Sequence, residues 1–346
     1  MDNDSRVFPK PRRFIAFWWT LGIISILVLG NIVAFQVSPW PGAMIVRQVF
    51  TSTAASVTKI MAPFAPDNVH STFDVDYKPG APKAQLDVFW PDGTSKALPT
   101  IVWTHGGAWI SGSKSNNTAY YQLLASHGYT VVGLNYAYGP ETKYPGAVFE
   151  INDALAFLVA HAAEYNIDPN NLFLAGDSAG GQLTSQIAAL TTNPAYANEM
   201  SFTPALASNQ IRGLILNCGV YDLNTFFGGK GIVGWGDGVT IWAYTGQQVS
   251  ESNNAMKQMS TINYVTADFP PSYITGGNAD PLTKGNSKPF AAKLESLGVD
   301  VTTLFWPADY TPPLPHEYQF RLNLDAAQTS LTQSLAFVQQ HTLSPK

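Results

Sequence analysis

Cysteine is almost missing from this chain. Cys218 is the only one in 346 residues, so no intrachain disulfide can form. It sits in an apolar run, which suits a small core hydrophobe, and no strand-to-helix turn surrounds it as a catalytic thiol would need. Charge is also scarce. Asp, Glu, Lys and Arg make up 12% of the residues, the net charge is −5, and no extended basic run occurs outside the N-terminus. Nucleic acid is therefore not an expected partner. No internal repeat is present, and no cluster of His, Cys and carboxylates has metal-ligand spacing, so neither a metal nor a cofactor is expected. Against these absences stands a hydrophobic fraction of 45%, enough for a large core and too much for long disorder.

One stretch lacks charge altogether. Residues 14–35 carry no ionisable side chain. As a helix they would reach about 33 Å, enough to cross a hydrocarbon layer. Trp18 and Trp19 lie near one end and Trp40 beyond the other, as interfacial anchors would. Arg6, Lys10, Arg12 and Arg13 precede the run, and only Arg47 closely follows it. The positive-inside rule then predicts a cytoplasmic tail at 1–13 and a single-pass signal-anchor of the cell membrane at 14–36, with the rest of the chain outside. The run is longer than a signal-peptide core, and Val37-Ser38-Pro39-Trp40 makes a poor cleavage site. Residues 37–70 read as a juxtamembrane linker in which Met44, Ile45, Val49, Ile60 and Met61 recur at loosely helical spacing, as in a helix lying on the membrane surface or, the preferred reading, a stalk docked on the main domain.

From 71 to 346 strand and helix patterns alternate. Strands are expected at 72–77, 85–90, 100–104, 130–136, 171–175, 211–220, 272–276 and 301–306. Helices are expected at 119–126, 148–165, 288–297 and 324–340. The first two strands look like an antiparallel pair, and the later ones are joined by helices. This predicts an α/β fold, a mostly parallel eight-stranded sheet with helices on both faces. The stretch 222–263 interrupts the alternation and is rich in glycine and aromatics, so it reads as a cap insertion.

The organising motif is Gly176-Asp177-Ser178-Ala179-Gly180. An apolar strand precedes it and a helical pattern follows, which is the sequence form of a nucleophile elbow. The glycines let the chain turn tightly around Ser178. Ala179 N–H then lies at a helix N-terminus, where it can donate to a developing oxyanion. A serine needs a base, and the base needs an acid to orient it. His70, His127, His161 and His341 fall in the linker, at a helix end, inside a helix and in the tail. His316 follows the last strand and precedes the last helix, so it can reach the C-terminal edge of the sheet. Asp280 ends the preceding strand, with Asp309 as the other candidate acid. The order Ser, Asp, His is that of α/β hydrolases. Thr104-His105-Gly106-Gly107-Ala108-Trp109 follows the third strand, and the backbone N–H groups of Gly106, Gly107 and Ala108 can complete an oxyanion hole.

These residues resemble the hormone-sensitive-lipase-like and bacterial feruloyl-esterase-like branches of the α/β-hydrolase carboxylesterases. The resemblance spans about 84–340. It rests on HGGAW at 105–109, GDSAGG at 176–181, Leu134-Asn135-Tyr136 with Pro145, NADPL at 278–282, and His316. It implies Ser178 as nucleophile, Asp280 and His316 as its partners, and Gly107, Ala108 and Ala179 as oxyanion donors. The chain departs at Ala108, where lipases carry a third glycine, and at Thr311-Pro312-Pro313-Leu314-Pro315 before the histidine. The expected reaction is hydrolysis of a small carboxylic ester through an acyl-enzyme. Phe226, Phe227, Trp235, Trp242, Tyr244 and Trp109 lead us to expect a slot for short or compact aromatic acyl groups. The rival readings are an acyltransferase or peptidase on the same triad, and a catalytically silent binding module on this fold. The sequence does not speak to oligomeric state.

Overall fold

A computed structural model describes residues 12–343. Residues 1–11, most of the expected cytoplasmic tail, lie outside the described residues. The chain opens with helix α1, Arg12–Val37. Its stretch Ala16–Val37 is long and apolar enough to cross a membrane, and none of it is buried against the rest of the protein. After Ser38 and Pro39 a second helix begins, α2, Trp40–Met61.

The expected linker at 37–70 is thus mostly α2, and α2 belongs to the body of the molecule. Gly42, Ala43, Val46, Val57 and Met61 fall on one helical face and are buried. That periodicity is what lets a helix dock by an apolar stripe. Arg47 fastens α2 further. Its guanidinium donates to both Glu141 carboxylate oxygens at 2.6 and 2.7 Å and to the Ile110 and Gly139 carbonyls at 2.6 and 2.7 Å.

The sheet follows. Its strands are β1, Val69–Asp76; β2, Gln85–Pro91; β3, Leu98–Thr104; β4, Thr130–Leu134; β5, Ile167–Asp177; β6, Ile211–Asn217; β7, Ser272–Gly276; and β8, Val301–Phe305. Their spatial order is β1-β2-β4-β3-β5-β6-β7-β8. β1–β2 and β2–β4 are antiparallel, and every later pairing is parallel. Alternate side chains enter two different cores, as the pleat requires. Val102, Leu174, Leu214 and Leu216 face one core. Ile101, Trp103, Phe173 and Ile215 face the other. The first core is covered by α4, Gly146–Ala160, α5, Ala179–Thr192, α6, Pro194–Glu199, and α9, Lys288–Ser296. The second is covered by α3, Thr118–Ala125, α10, Asp325–His341, and the end of α2. This is the α/β-hydrolase architecture, with helices on both faces.

Several boundaries differ from the sequence reading, and at two of them the cause is local. α4 stops at Ala160, where His161 caps it and stacks on Phe157 at 4.1 Å, so it does not run on to 165. The strand expected through 220 ends at Asn217, because Cys218 takes a left-handed backbone with φ 44°. The expected cap contains α7, Gly231–Thr245, and α8, Asn254–Met259. α7 lies against α2. A Cβ on Gly42 would press on Val239 and Trp235, so the absence of a side chain there sets the close approach of the two helices.

Candidate active site

The turn after β5 is as tight as its glycines allow. Ser178 has φ 52° and ψ −121°, a strained conformation outside the regions that L-residues favour. A Cβ at Gly176 would collide with the Gly180 backbone, and one at Gly180 with the carbonyls of Thr104 and His105. The turn therefore closes only because both positions are glycine. Ser178 N–H donates to the Asn217 carbonyl at 2.9 Å, which fixes the elbow to β6. The serine side chain points to the C-terminal edge of the sheet, where α5 begins.

The structure brings Ser178, His316 and Asp280 together. His316 Nε2 lies 2.9 Å from Ser178 Oγ, and Nδ1 lies 2.9 Å from Asp280 Oδ2. With the ring proton on Nδ1, the ring donates to Asp280 and accepts from the serine hydroxyl. Asp280 is buried, and its other oxygen accepts Leu282 N–H at 2.9 Å. Asp309 is exposed on the loop after β8. Asn278 ties the two loops together. Its amide donates to the Tyr310 carbonyl at 2.9 Å, and its carbonyl accepts Leu314 N–H at 2.8 Å. A Cβ on Gly277 would strike the Leu314 carbonyl, so that glycine also sets the distance from acid to base.

Electrostatics at His316 come from three sources. Burial opposes an imidazolium. The Cys218 and Asp280 side chains act the other way and lift the pKa well above the ordinary histidine range. Cys218 can contribute its charge only as a thiolate, and burial pushes that thiol up to about 11. Near neutral pH the lift that remains is Asp280's. Sequence patterns placed Cys218 in the core but gave no sign of this proximity. Its sulfur, an Asp280 oxygen and a His316 nitrogen lie within 4.8 Å of one another. Among the described residues this is the one set close enough to hold a metal ion, and both ring nitrogens of His316 are already engaged by Ser178 and Asp280.

The expected oxyanion donors separate into two kinds. Gly106 N–H donates to Asp177 Oδ2 at 2.8 Å, so it is committed and cannot face a substrate. This corrects its place among the four expected donors. The N–H groups of Gly107, Ala108 and Ala179 meet no acceptor among the described residues. Gly107 and Ala108 have φ of 117° and 54°, which turns the backbone back on itself after β3. His105 stays neutral inside this turn, because burial lowers its pKa to about 4. Its ring stacks on Tyr136 at 4.5 Å, and the Tyr136 hydroxyl donates to the His105 carbonyl at 2.9 Å.

Asp177 is a second residue that the motif did not reveal. It is the variable position of G-x-S-x-G, and it is buried. Its Oδ1 accepts Trp103 Nε1–H at 2.7 Å while Oδ2 accepts Gly106 N–H. It thus bridges the elbow to the His-Gly-Gly turn. Burial raises its pKa well above the carboxylate range and Glu317 adds to the rise, with Trp103 and Gly106 opposing.

A cavity of about 690 Å³ opens over Ser178 and His316. Its walls are mostly apolar and include Val46 and Phe50 of α2, Trp109, and Val233 and Trp235 of α7. Of the aromatics expected as walls, Phe226, Trp235 and Trp109 line it. Tyr244 is fully buried and stacks on Trp109 at 5.9 Å, so it supports a wall from behind. Phe227 and Trp242 do not line the cavity. Cavities of roughly 300–1,000 Å³ enclose drug-sized ligands, and this one falls within that range.

Comparison with known proteins adds to this geometry. A family model described as BD-FAE matches residues 86–294. An α/β hydrolase of Acanthamoeba polyphaga mimivirus is 27% identical over 217 residues, 60% of this chain and 59% of that protein. Esterase LipQ of Mycobacterium tuberculosis is 26% identical over 238 residues, 66% of this chain and 53% of that protein. The matches thus span little more than half the length of either relative. Among solved structures, esterase B of Lactobacillus rhamnosis superposes with a TM-score of 0.75 at 23% identity, covering 87% of this chain and 97% of that one. The carboxylesterase EstE1, cloned from a metagenomic library, gives 0.70 at 18%, covering 90% and 99%. At these identities the structures establish a shared fold.

Proposed function

This chain belongs to the BD-FAE family and has the α/β-hydrolase fold, and from that premise we propose that it is a serine hydrolase of carboxylic esters. The observation that carries the reading is the run of two 2.9 Å contacts from Ser178 through His316 to Asp280, set on a strained elbow beneath an open cavity. The names of its relatives, an esterase and an α/β hydrolase, agree with it.

The proposed steps follow from the geometry. Ser178 Oγ attacks the ester carbonyl carbon as its proton passes to His316 Nε2. Asp280 holds the Nδ1 proton, keeps the productive tautomer and stabilises the imidazolium. The carbonyl oxygen becomes an oxyanion and accepts N–H bonds from Ala179 and from Gly107 or Ala108. Such donors are pre-aimed, and each is worth about 10²–10³ in rate. His316 returns the proton to the departing alcohol, which leaves an acyl group on Ser178. Water, deprotonated by His316, then attacks the acyl carbon and frees the acid and Ser178.

The chain is also proposed to be anchored by α1, with its N-terminus in the cytoplasm and the catalytic body outside. The uncharged 22-residue stretch of α1 and the basic residues before it support this. Protease added to intact spheroplasts should then remove the body, and protection until lysis would refute the orientation.

The experiment for the reaction is turnover of p-nitrophenyl esters by the full chain, with products analysed in water and with an added alcohol. Free acid as the main product in both cases supports hydrolysis. A new ester as the main product with alcohol present would make the protein an acyltransferase. Release that persists in Ser178→Ala would remove the serine mechanism.

A further inference from the structure

We propose that the mouth of the active-site cavity rests on the lipid leaflet that α1 crosses, so that its esters are amphiphiles drawn from that leaflet. The inference deepens the proposed function and rests on its reading of α1 as a spanning helix. The carrying juxtaposition is that residues at the cavity mouth are exposed apolar side chains beside the end of α1. Ile45 and Val49 of α2 line the cavity and are 50% and 61% exposed. Ile232 and Val233, at the start of α7, line it too and are 78% and 67% exposed. Large aliphatic groups left this open in water at the entrance to a cavity point to an apolar neighbour.

That neighbour is near at hand. Only Ser38 and Pro39 separate α1 from α2. At 1.5 Å per residue Val49 lies about 14 Å from the start of α2. The outward face of the first half of α2 carries Trp40, Met44, Ile45 and Val49, with Gln48 as its one exposed polar side chain and no charge. Its second half turns to Thr51, Ser52, Thr53 and Ser56, so the apolar face ends where the helix moves away from α1. α7 runs antiparallel to α2, since Gly42 meets Val239 while Gly236 meets Val46. Ile232 and Val233 therefore extend the same apolar face beside Val49. Two charged groups border it. Lys230 is exposed at the start of α7 and can reach up to phosphate headgroups. Asp237 is half-buried in the cavity wall, where burial raises its pKa.

A helix of this kind, with an apolar outer face beside a membrane span, lies in the interface with its apolar groups among the acyl chains. An ester dissolved in the leaflet could then pass from acyl chains to the walls formed by Val233, Trp235 and Phe50 without entering water. The polar ester group would arrive at Ser178 while the apolar remainder stayed in lipid or cavity.

The test uses the full chain reconstituted in vesicles of phosphatidylcholine and phosphatidylglycerol. Cys218 is fully buried, so a cysteine introduced by Ile232→Cys can be labelled alone with an environment-sensitive fluorophore. Ser296→Cys, at the far end of α9 near the opposite edge of the sheet, provides the distant site. Acyl-chain spin labels in the vesicles should quench the fluorophore at 232 strongly and leave that at 296 unchanged. Equal, weak quenching at both sites would overturn the inference. Ile232→Asp with Val233→Asp should lower turnover of vesicle-borne p-nitrophenyl palmitate, relative to dissolved p-nitrophenyl acetate, by about ten-fold or more. An unchanged ratio would contradict the inference, whether or not both rates fall. Chain that washes off the vesicles in alkaline carbonate would overturn the spanning reading and this inference with it. Chain that stays but leaves site 232 unquenched would overturn this inference alone. Acetate turnover that survives Ser178→Ala would instead count against the serine mechanism.

Discussion

The floor of the cleft and its rim face the same serine but are built differently. The floor lies at the C-terminal ends of β3, β5, β7 and β8. Its acids and loop amide are held by specific partners: buried Asp177 by Trp103 and Gly106, buried Asp280 by Leu282 and His316, and half-buried Asn278 by Tyr310 and Leu314. Its glycines stand where any Cβ would strike backbone or a buried carboxylate. The rim, on α2 and α7, has such constraints at Gly42 and Gly234 and is looser elsewhere. Gly238 would meet nothing within contact distance if it gained a side chain, and Ile232 and Val233 project freely. The difference assigns chemistry to the floor and access to the rim. Floor substitutions should lower kcat by orders of magnitude. Rim substitutions should change which ester is used, and by modest factors.

The strongest way to break that division is Ser178→Ala. Its ester turnover should fall by about 10⁴ or more with an unchanged melting profile, and retained activity would end the account of the floor. Asp280→Asn should come next, with a loss of about 10³–10⁴, while Asp309→Asn, on an exposed loop, should leave turnover as it was. The pH profile sharpens this prediction. His316 must be neutral to act as base, so kcat/KM should fall as pH drops through its pKa, which Asp280 raises against the opposing effect of burial. In Asp280→Asn the raising partner is gone and burial remains, so that acid limb should move to lower pH. A limb at unchanged pH would mean that Asp280 does not set the charge of His316.

Gly106→Ala places a methyl group against the Asp177 carboxylate and should displace the oxyanion turn, for a loss of about 10²–10³ in kcat. A wild-type rate would show that the Asp177 bridge does not position the turn. At the rim, Trp235→Ala should change kcat/KM by about ten-fold. It should also shift the preferred acyl length across a series of p-nitrophenyl esters, where the 690 Å³ cavity predicts a maximum beyond butyrate. A maximum from acetate to butyrate in the wild-type protein would instead bear out the short slot that the sequence suggests.

The sequence carried the floor better than the rim for a physical reason. Backbone geometry leaves a local signature. Gly176 and Gly180 flank Ser178 because the turn has no room for a Cβ, and the alternation of Ile101, Val102 and Trp103 reports a strand covered on both faces. Long-range hydrogen bonds leave no such mark. Nothing in the spacing of His105-Gly106-Gly107 shows that Gly106 N–H is taken by Asp177, 71 positions later. Nothing around Cys218 shows His316, because the left-handed residue that ends β6 is set by tertiary packing. α2 is the same case at larger scale. Its helical period was visible between Met44 and Met61, but that it walls the cavity depends on α7, almost two hundred residues away.

The central claim is that Ser178 is a nucleophile made reactive by His316. Stoichiometric labelling with a fluorophosphonate, read by peptide mass spectrometry, tests it without assuming any substrate. The account predicts one adduct per chain, on Ser178, lost in Ser178→Ala and slowed by about 10³ or more in His316→Ala. An unlabelled wild-type protein, an adduct on another residue, or labelling as fast without His316 would contradict it.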